Sequence, residues 1–166
     1  MFKKINWPRL VLSLAGPQVI GYAGMLFTKP ALNDWYANLD KVSFNPPNWV
    51  FGAVWPVLYL LMGVSVYLIW QQTDKLKQKQ EKRRAHCAVW LFWFHLLFNF
   101  SWTAIFFIFK NTGLALLNLL VLVALIVMIM KEFWHIKRAA AYLLWPYLLW
   151  VFFALALNYA IWLLNM

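Results

Sequence analysis

Five apolar stretches, each near the ~20 residues that a helix needs to cross a bilayer core, leave this chain little choice of fold. They run over about residues 8–28, 47–70, 87–109, 112–130 and 141–164. None of them contains an acidic residue. Hydrophobic residues make up 64% of the 166 and charged ones only 12%, where a soluble domain is roughly half apolar and a quarter charged. A chain this short cannot hide so much apolar surface inside itself, so the remainder faces lipid. The predicted fold is an all-α membrane protein, a five-transmembrane-helix bundle in one integral membrane domain over residues 1–166.

The basic start (Lys3, Lys4, Arg9) before an apolar run has the form of a signal peptide, with Gly21 to Gly24 offering small residues for cleavage. The run continues past that point and no soluble domain follows, so the reading is an uncleaved first span. Gly16, Pro17, Gly21 and Gly24 then serve close helix packing, with Pro17 tolerated as a kink.

A net charge of +10 suggests nucleic acid in a soluble protein. Here the basic residues sit between apolar runs, and anchoring and topology account for them. Lys and Arg number twelve in the N-terminus, loop two (71–86) and loop four, against three (Lys29, Lys41, Lys110) on the other side. By the positive-inside rule the N-terminus is cytoplasmic and the C-terminus outside. The plain bias and the short basic start favour a bacterial plasma membrane, and no nucleic-acid partner is expected.

Loop one is unlike an ordinary tether. From Trp35 to Tyr59 the chain reads WYANLDKVSFNPPNWVFGAVWPVLY, stiffened by Pro46, Pro47 and Pro56, rich in indole and phenol, and nearly uncharged. Such a stretch suits an aromatic, proline-rich lid between helices 1 and 2 over an apolar pocket at the outer end.

Intramembrane polar groups are costly unless paired, so each is a candidate for function. Span three offers His95, Asn99, Trp102 and Phe106 at i, i+4, i+7 and i+11, on one helical face. Span two offers Trp55, Tyr59 and Met62, and span five Trp150, Ala154 and Leu157 beside Asn158. Three faces that each carry a Trp can enclose a large flat apolar ligand, with amide and phenol groups at its polar edge. Two plainer readings stand beside that one: indoles gather at membrane interfaces as anchors, and an Asn in a span commonly glues helices together.

Familiar catalytic patterns are missing. His86, His95 and His135 fall on different segments or depths, and one cysteine (Cys87) excludes an internal disulfide or a multi-cysteine metal site. No metal site is expected. Asp34 and Asp40, in the proline-rich loop, read as turn and capping residues rather than an acid/base pair. The spans' lack of acids argues against a proton relay or an ion pump.

The lid and span two together resemble the signature of the TspO/MBR family, the tryptophan-rich sensory and translocator (peripheral benzodiazepine receptor) proteins. Asn99-Phe100-Ser101-Trp102 leading to Ile105-Phe106-Phe107 matches it in span three. So does Pro146-Tyr147-Leu148-Leu149-Trp150, followed by Phe153-Ala154 and Leu157-Asn158, in span five. The resemblance covers about residues 10–165 and implies a five-helix bundle, usually a homodimer, with a lidded pocket in each monomer. It implies tetrapyrrole ligands such as protoporphyrin IX and haem, isoquinoline and benzodiazepine-type ligands, and no required cofactor, porphyrin being ligand or substrate. The implied role is a sensor, carrier or scavenger. The alternative is a light-dependent porphyrin-degrading enzyme in which Trp55 and Trp150 are the catalytic tryptophans. By motif position the implied pocket residues are Tyr36, Trp55, Asn99, Trp102, Trp150, Ala154 and Leu157; Tyr59 and Phe106 join them from helical spacing.

The chain departs from the family pattern at Val42 and Ala53, where proline is common, and at Pro56, which is expected to bend span two just below Trp55. Leu157 and Tyr159 begin the sterol motif of animal members, but no Lys or Arg follows. Cholesterol recognition of that kind is therefore not expected.

Overall fold

The computed structural model describes residues 5–166; Lys3 and Lys4 of the basic start lie outside the described residues. Six helices form the bundle: α1 (Trp7–Leu32), α2 (Asn48–Trp70), α3 (Lys79–Thr103), α4 (Thr112–Ile136), α5 (Arg138–Tyr142) and α6 (Trp145–Leu164). The last two together make the fifth span, so the described residues hold five helical segments long and apolar enough to cross a membrane. The chain is an integral membrane protein of all-α class.

Local chemistry sets the helix ends. Asn6 caps α1 by accepting from the Arg9 amide at 3.2 Å, with Pro8 in the first turn, where a missing N–H costs nothing. Asn111 caps α4 in the same way through the Leu114 amide at 2.9 Å. Between them α3 widens at Ala104–Ile108 into a π-turn, and Lys110 takes a left-handed φ of 53° to reverse the chain. Lys137 is extended (φ −156°, ψ 104°) and breaks α4 from α5. Pro146, in the first turn of α6, marks the jog inside the fifth span.

The helices outrun the apolar spans at the basic end. α3 starts at Lys79, so eight residues assigned to loop two are helical, and α4 continues to Ile136. Lys, Arg, Glu and Gln are good helix formers, and water satisfies the exposed turns once the helix has left the lipid. Arg84 and Glu132 tie these two extensions together through a bidentate pair at 2.6 and 3.2 Å.

Neighbouring helices close a ring in the order α1, α2, α5–α6, α4, α3 and back to α1, and α2 also packs against α3 across the middle. α1 and α2 approach closely at Gly63, where an added Cβ would lie 2.6 Å from the Ser13 carbonyl oxygen. Pro17, four residues on, offers that carbonyl no helical N–H. The main core fills the basic half with Met62, Val66, Phe92, Leu96, Ile126, Phe133 and Tyr147. A smaller cluster of Tyr36, Phe106, Phe107, Ala115 and Ile161 sits under the loop after α1. Between the two lies a void.

Candidate functional site: an indole-walled cavity

A cavity of about 500 Å³ occupies that void, within the range of roughly 300–1,000 Å³ typical of small-molecule sites. Its walls come from α1, α2, α3 with its π-turn, and α6, and the lid closes one end. Of the nine predicted pocket residues, eight line it: Tyr36, Trp55, Tyr59, Trp102, Phe106, Trp150, Ala154 and Leu157. Asn99 does not, and neither does His95.

The correction at Asn99 has a clear cause. Tyr59 forms the floor, donating its hydroxyl to Asn99 Oδ1 at 2.7 Å, while Asn99 Nδ2 donates to the Tyr147 hydroxyl at 3.0 Å. Both ends of the amide are used, and the ring of Tyr59 stands between it and the void. Asn99 is interhelical glue. His95, one turn deeper, is buried beside Phe92, whose carbonyl its Nδ1 approaches, and Tyr147. Sharing a helical face with Trp102 does not bring either residue to the same depth.

The three indoles are held differently. Trp55 stacks on Tyr59, with centroids 5.3 Å apart and planes 26° from parallel. Trp102 stacks on Phe106 at 5.4 Å and donates Nε1 to Asn158 Oδ1 at 3.1 Å. Asn158 in turn donates Nδ2 to the Thr112 carbonyl at 2.7 Å, so its amide is also fully engaged and positions Trp102. Trp150 meets Phe51 edge-on at 5.9 Å. Its Nε1 is buried with no hydrogen-bond partner among the described residues. A buried unpaired donor costs about 1–3 kcal/mol.

The lid is built as expected from its composition. After α1, a short turn at Tyr36–Asn38 buries Tyr36 against Phe106 and Phe107 at 6.2 and 5.9 Å. The Tyr36 hydroxyl donates to Asn45 Oδ1 at 3.0 Å, so it staples the lid to itself. Burial raises its pKa above the ordinary phenol value, outweighing the opposite pull of the Asn45 bond, and keeps it a neutral donor. Asp40 and Asn165 exchange two hydrogen bonds, both 3.0 Å, one through each backbone group of Asp40. The lid is thereby clasped to the end of α6.

The α1 wall was not expected from the sequence. Gln18, Gly21, Tyr22, Met25, Thr28, Lys29 and Leu32 line the cavity, at the same i, i+3/4, i+7 spacing that marks the other faces. Gly21 is required here, because any Cβ would enter the ring of Tyr59. Tyr22, Met25 and Lys29 of α1 and Gly52 and Pro56 of α2 are exposed as well as lining. The mouth therefore lies between these two helices, bridged by Gln18 Nε2 donating to the Pro56 carbonyl at 2.9 Å. α2 stays one continuous helix through Pro56. Lys29 is the single charged residue of the lining. Among the described residues no group of three or more His, Cys, Asp or Glu gathers as a metal set.

Comparison with known proteins places this arrangement. The sequence model of the TspO/MBR family matches residues 13–163. The chain is 37% identical to the tryptophan-rich protein TspO of Archaeoglobus fulgidus, over 97% of this chain and 99% of that one. It is 34% identical to the human translocator protein, over 93% of this chain and 88% of that protein. It is 31% identical to the tryptophan-rich sensory protein of Cereibacter sphaeroides, over 93% and 90%.

Proposed function

The chain belongs to the TspO/MBR family, and from that premise we propose that it binds tetrapyrroles such as protoporphyrin IX or haem inside the membrane, as a sensor, carrier or scavenger. The observation that carries the reading is the cavity of about 500 Å³ with Trp55, Trp102 and Trp150 on three of its walls. Indole faces stack on a flat conjugated ring. The ring lies among these indoles with Tyr36 holding the lid above it; isoquinoline and benzodiazepine-type molecules fit the same apolar box. The N-terminus faces the cytoplasm of a bacterial plasma membrane, the lid faces outward, and the protein works as a homodimer.

A second reading, light-dependent porphyrin degradation, draws support from Trp55 and Trp150 lining one cavity. Both are tested by titrating the purified protein in detergent with protoporphyrin IX, following tryptophan quenching in the dark and porphyrin absorbance under illumination. Saturable quenching with stable absorbance supports the binder. Protein-dependent bleaching that Trp55→Phe abolishes while binding persists supports the enzyme. Absence of saturable quenching overturns both.

A further inference from the structure

A second concavity lies at the opposite, basic end of the bundle, outside the indole-walled cavity. It is a groove of about 290 Å³ between α1, the end of α2 and the start of α3, lined by Leu12, Trp70, His86, Val89, Trp90 and Trp93. Trp90 is 74% exposed, although it stands on an apolar helix face. Along α3 the residues Lys79, Arg83, His86, Trp90 and Trp93 follow one another by four, three, four and three positions, so they form one stripe. Its outer part is cationic and polar, its inner part indole. Glu81, the acidic residue of that first turn, falls on another face.

The neighbouring charges are already committed. Arg9 pairs with Asp74 at 2.6 Å and lies over the Trp70 ring at 5.6 Å. Arg84 is held by Glu132. The side chains of Arg83 and His86, both exposed, have no hydrogen bond or ion pair among the described residues. A groove floored by apolar groups and walled by tryptophans, with the His86 imidazole in its lining and the uncommitted Arg83 guanidinium one step outward on the same stripe, matches one kind of molecule. We infer that this groove is a binding site for an anionic glycerophospholipid of the leaflet at the basic end. One acyl chain lies along Leu12, Val89, Trp90 and Trp93, and the phosphate headgroup sits against Arg83 and His86. The wider lipid-facing surface offers ordinary solvation; this groove selects by headgroup.

The test is native mass spectrometry of the full chain titrated with phosphatidylglycerol or phosphatidylcholine of identical acyl chains. The wild type should hold a phosphatidylglycerol adduct more tightly. Arg83→Gln combined with His86→Gln should bring that adduct down to the phosphatidylcholine level, a loss of roughly fivefold for the Arg83 charge together with the loss of the imidazole's hydrogen bond. Both positions are exposed, so folding should be unaffected, and protoporphyrin quenching serves as the internal check. Lys131→Gln with Lys137→Gln removes charge from α4 and its end, neither of which lines the groove, and should keep the preference. Leu12→Trp, filling the groove, should weaken both lipids together. Equal binding of the two lipids by the wild type, or a preference that survives the Arg83/His86 variant, overturns the inference. So does a dimer that forms when lipid is stripped and buries Trp90, since a second copy is then the occupant.

Discussion

Tyr59 donates its hydroxyl to Asn99 at 2.7 Å, and the same amide donates onward to Tyr147 at 3.0 Å. α2, α3 and α6 are thus joined by one side chain beneath the cavity floor. Asn99→Ala strands two buried phenols, each at about 1–3 kcal/mol, although such bonds within membranes measure nearer 0.6 on average. The expected outcome is a clearly lowered unfolding midpoint in detergent with porphyrin quenching retained while the protein is folded. An unchanged midpoint with lost quenching would put Asn99 back among the ligand contacts.

Gly21 and Gly52 both line the cavity and should respond oppositely to alanine. At Gly21 the new methyl enters the Tyr59 ring, which Trp55 and Asn99 hold in place. Overpacking of that kind costs roughly 1–3 kcal/mol, and porphyrin affinity should fall with it. At Gly52 nothing lies within 4 Å of the new Cβ, and alanine gains up to about 1 kcal/mol of helix propensity. Thermal melts and dark quenching of the two variants should separate them cleanly.

Lys29 is the lone charge of the lining and should select ligands by their carboxylates. Lys29→Gln is expected to weaken protoporphyrin IX by up to about fivefold, the scale of an exposed ion pair of about 0.2–1 kcal/mol. The dimethyl ester of the same porphyrin should bind wild type and variant alike. An equal loss for acid and ester would assign Lys29 a packing role instead.

The reciprocal Asp40–Asn165 clasp predicts a kinetic effect. Asn165→Ala removes both bonds from an exposed site, costing global stability about 1 kcal/mol or less. Ligand release, followed by recovery of tryptophan fluorescence after dilution, should nevertheless become several-fold faster. Unaltered release would mean that the lid is held by Tyr36 and Trp35 against Phe106 and Phe107.

The spans were legible because lipid imposes a simple rule: each crossing must be long, apolar and free of unpaired charge. The helix ends were less so. Residues 79–86 read as a solvated loop because their charges say nothing against a helix in water, and only the Arg84–Glu132 pairing across α3 and α4 reveals the extension. The cavity's tryptophans were readable from spacing, since Trp55, Trp102 and Trp150 stand on regular helical faces. Asn99 stood on the same face, yet its depth is decided by Tyr59, a residue on another helix. The α1 wall escaped for a related reason. Gly21 and Gly24 read as packing residues, and nothing local says that a helix packed by glycine on one side of a turn borders a cavity on the next.

The placement of the mouth between α1 and α2, in the lid-side half of two membrane-spanning helices, changes what binding strength means for this protein. A guest reaching the indoles through that gap comes out of hydrocarbon, so the reservoir is the bilayer and the governing quantity is mole fraction in lipid. Two guests with identical fit but different partition coefficients would then occupy the site to different extents at equal dose. Adding detergent or vesicles would lower occupancy by dilution without touching a single contact.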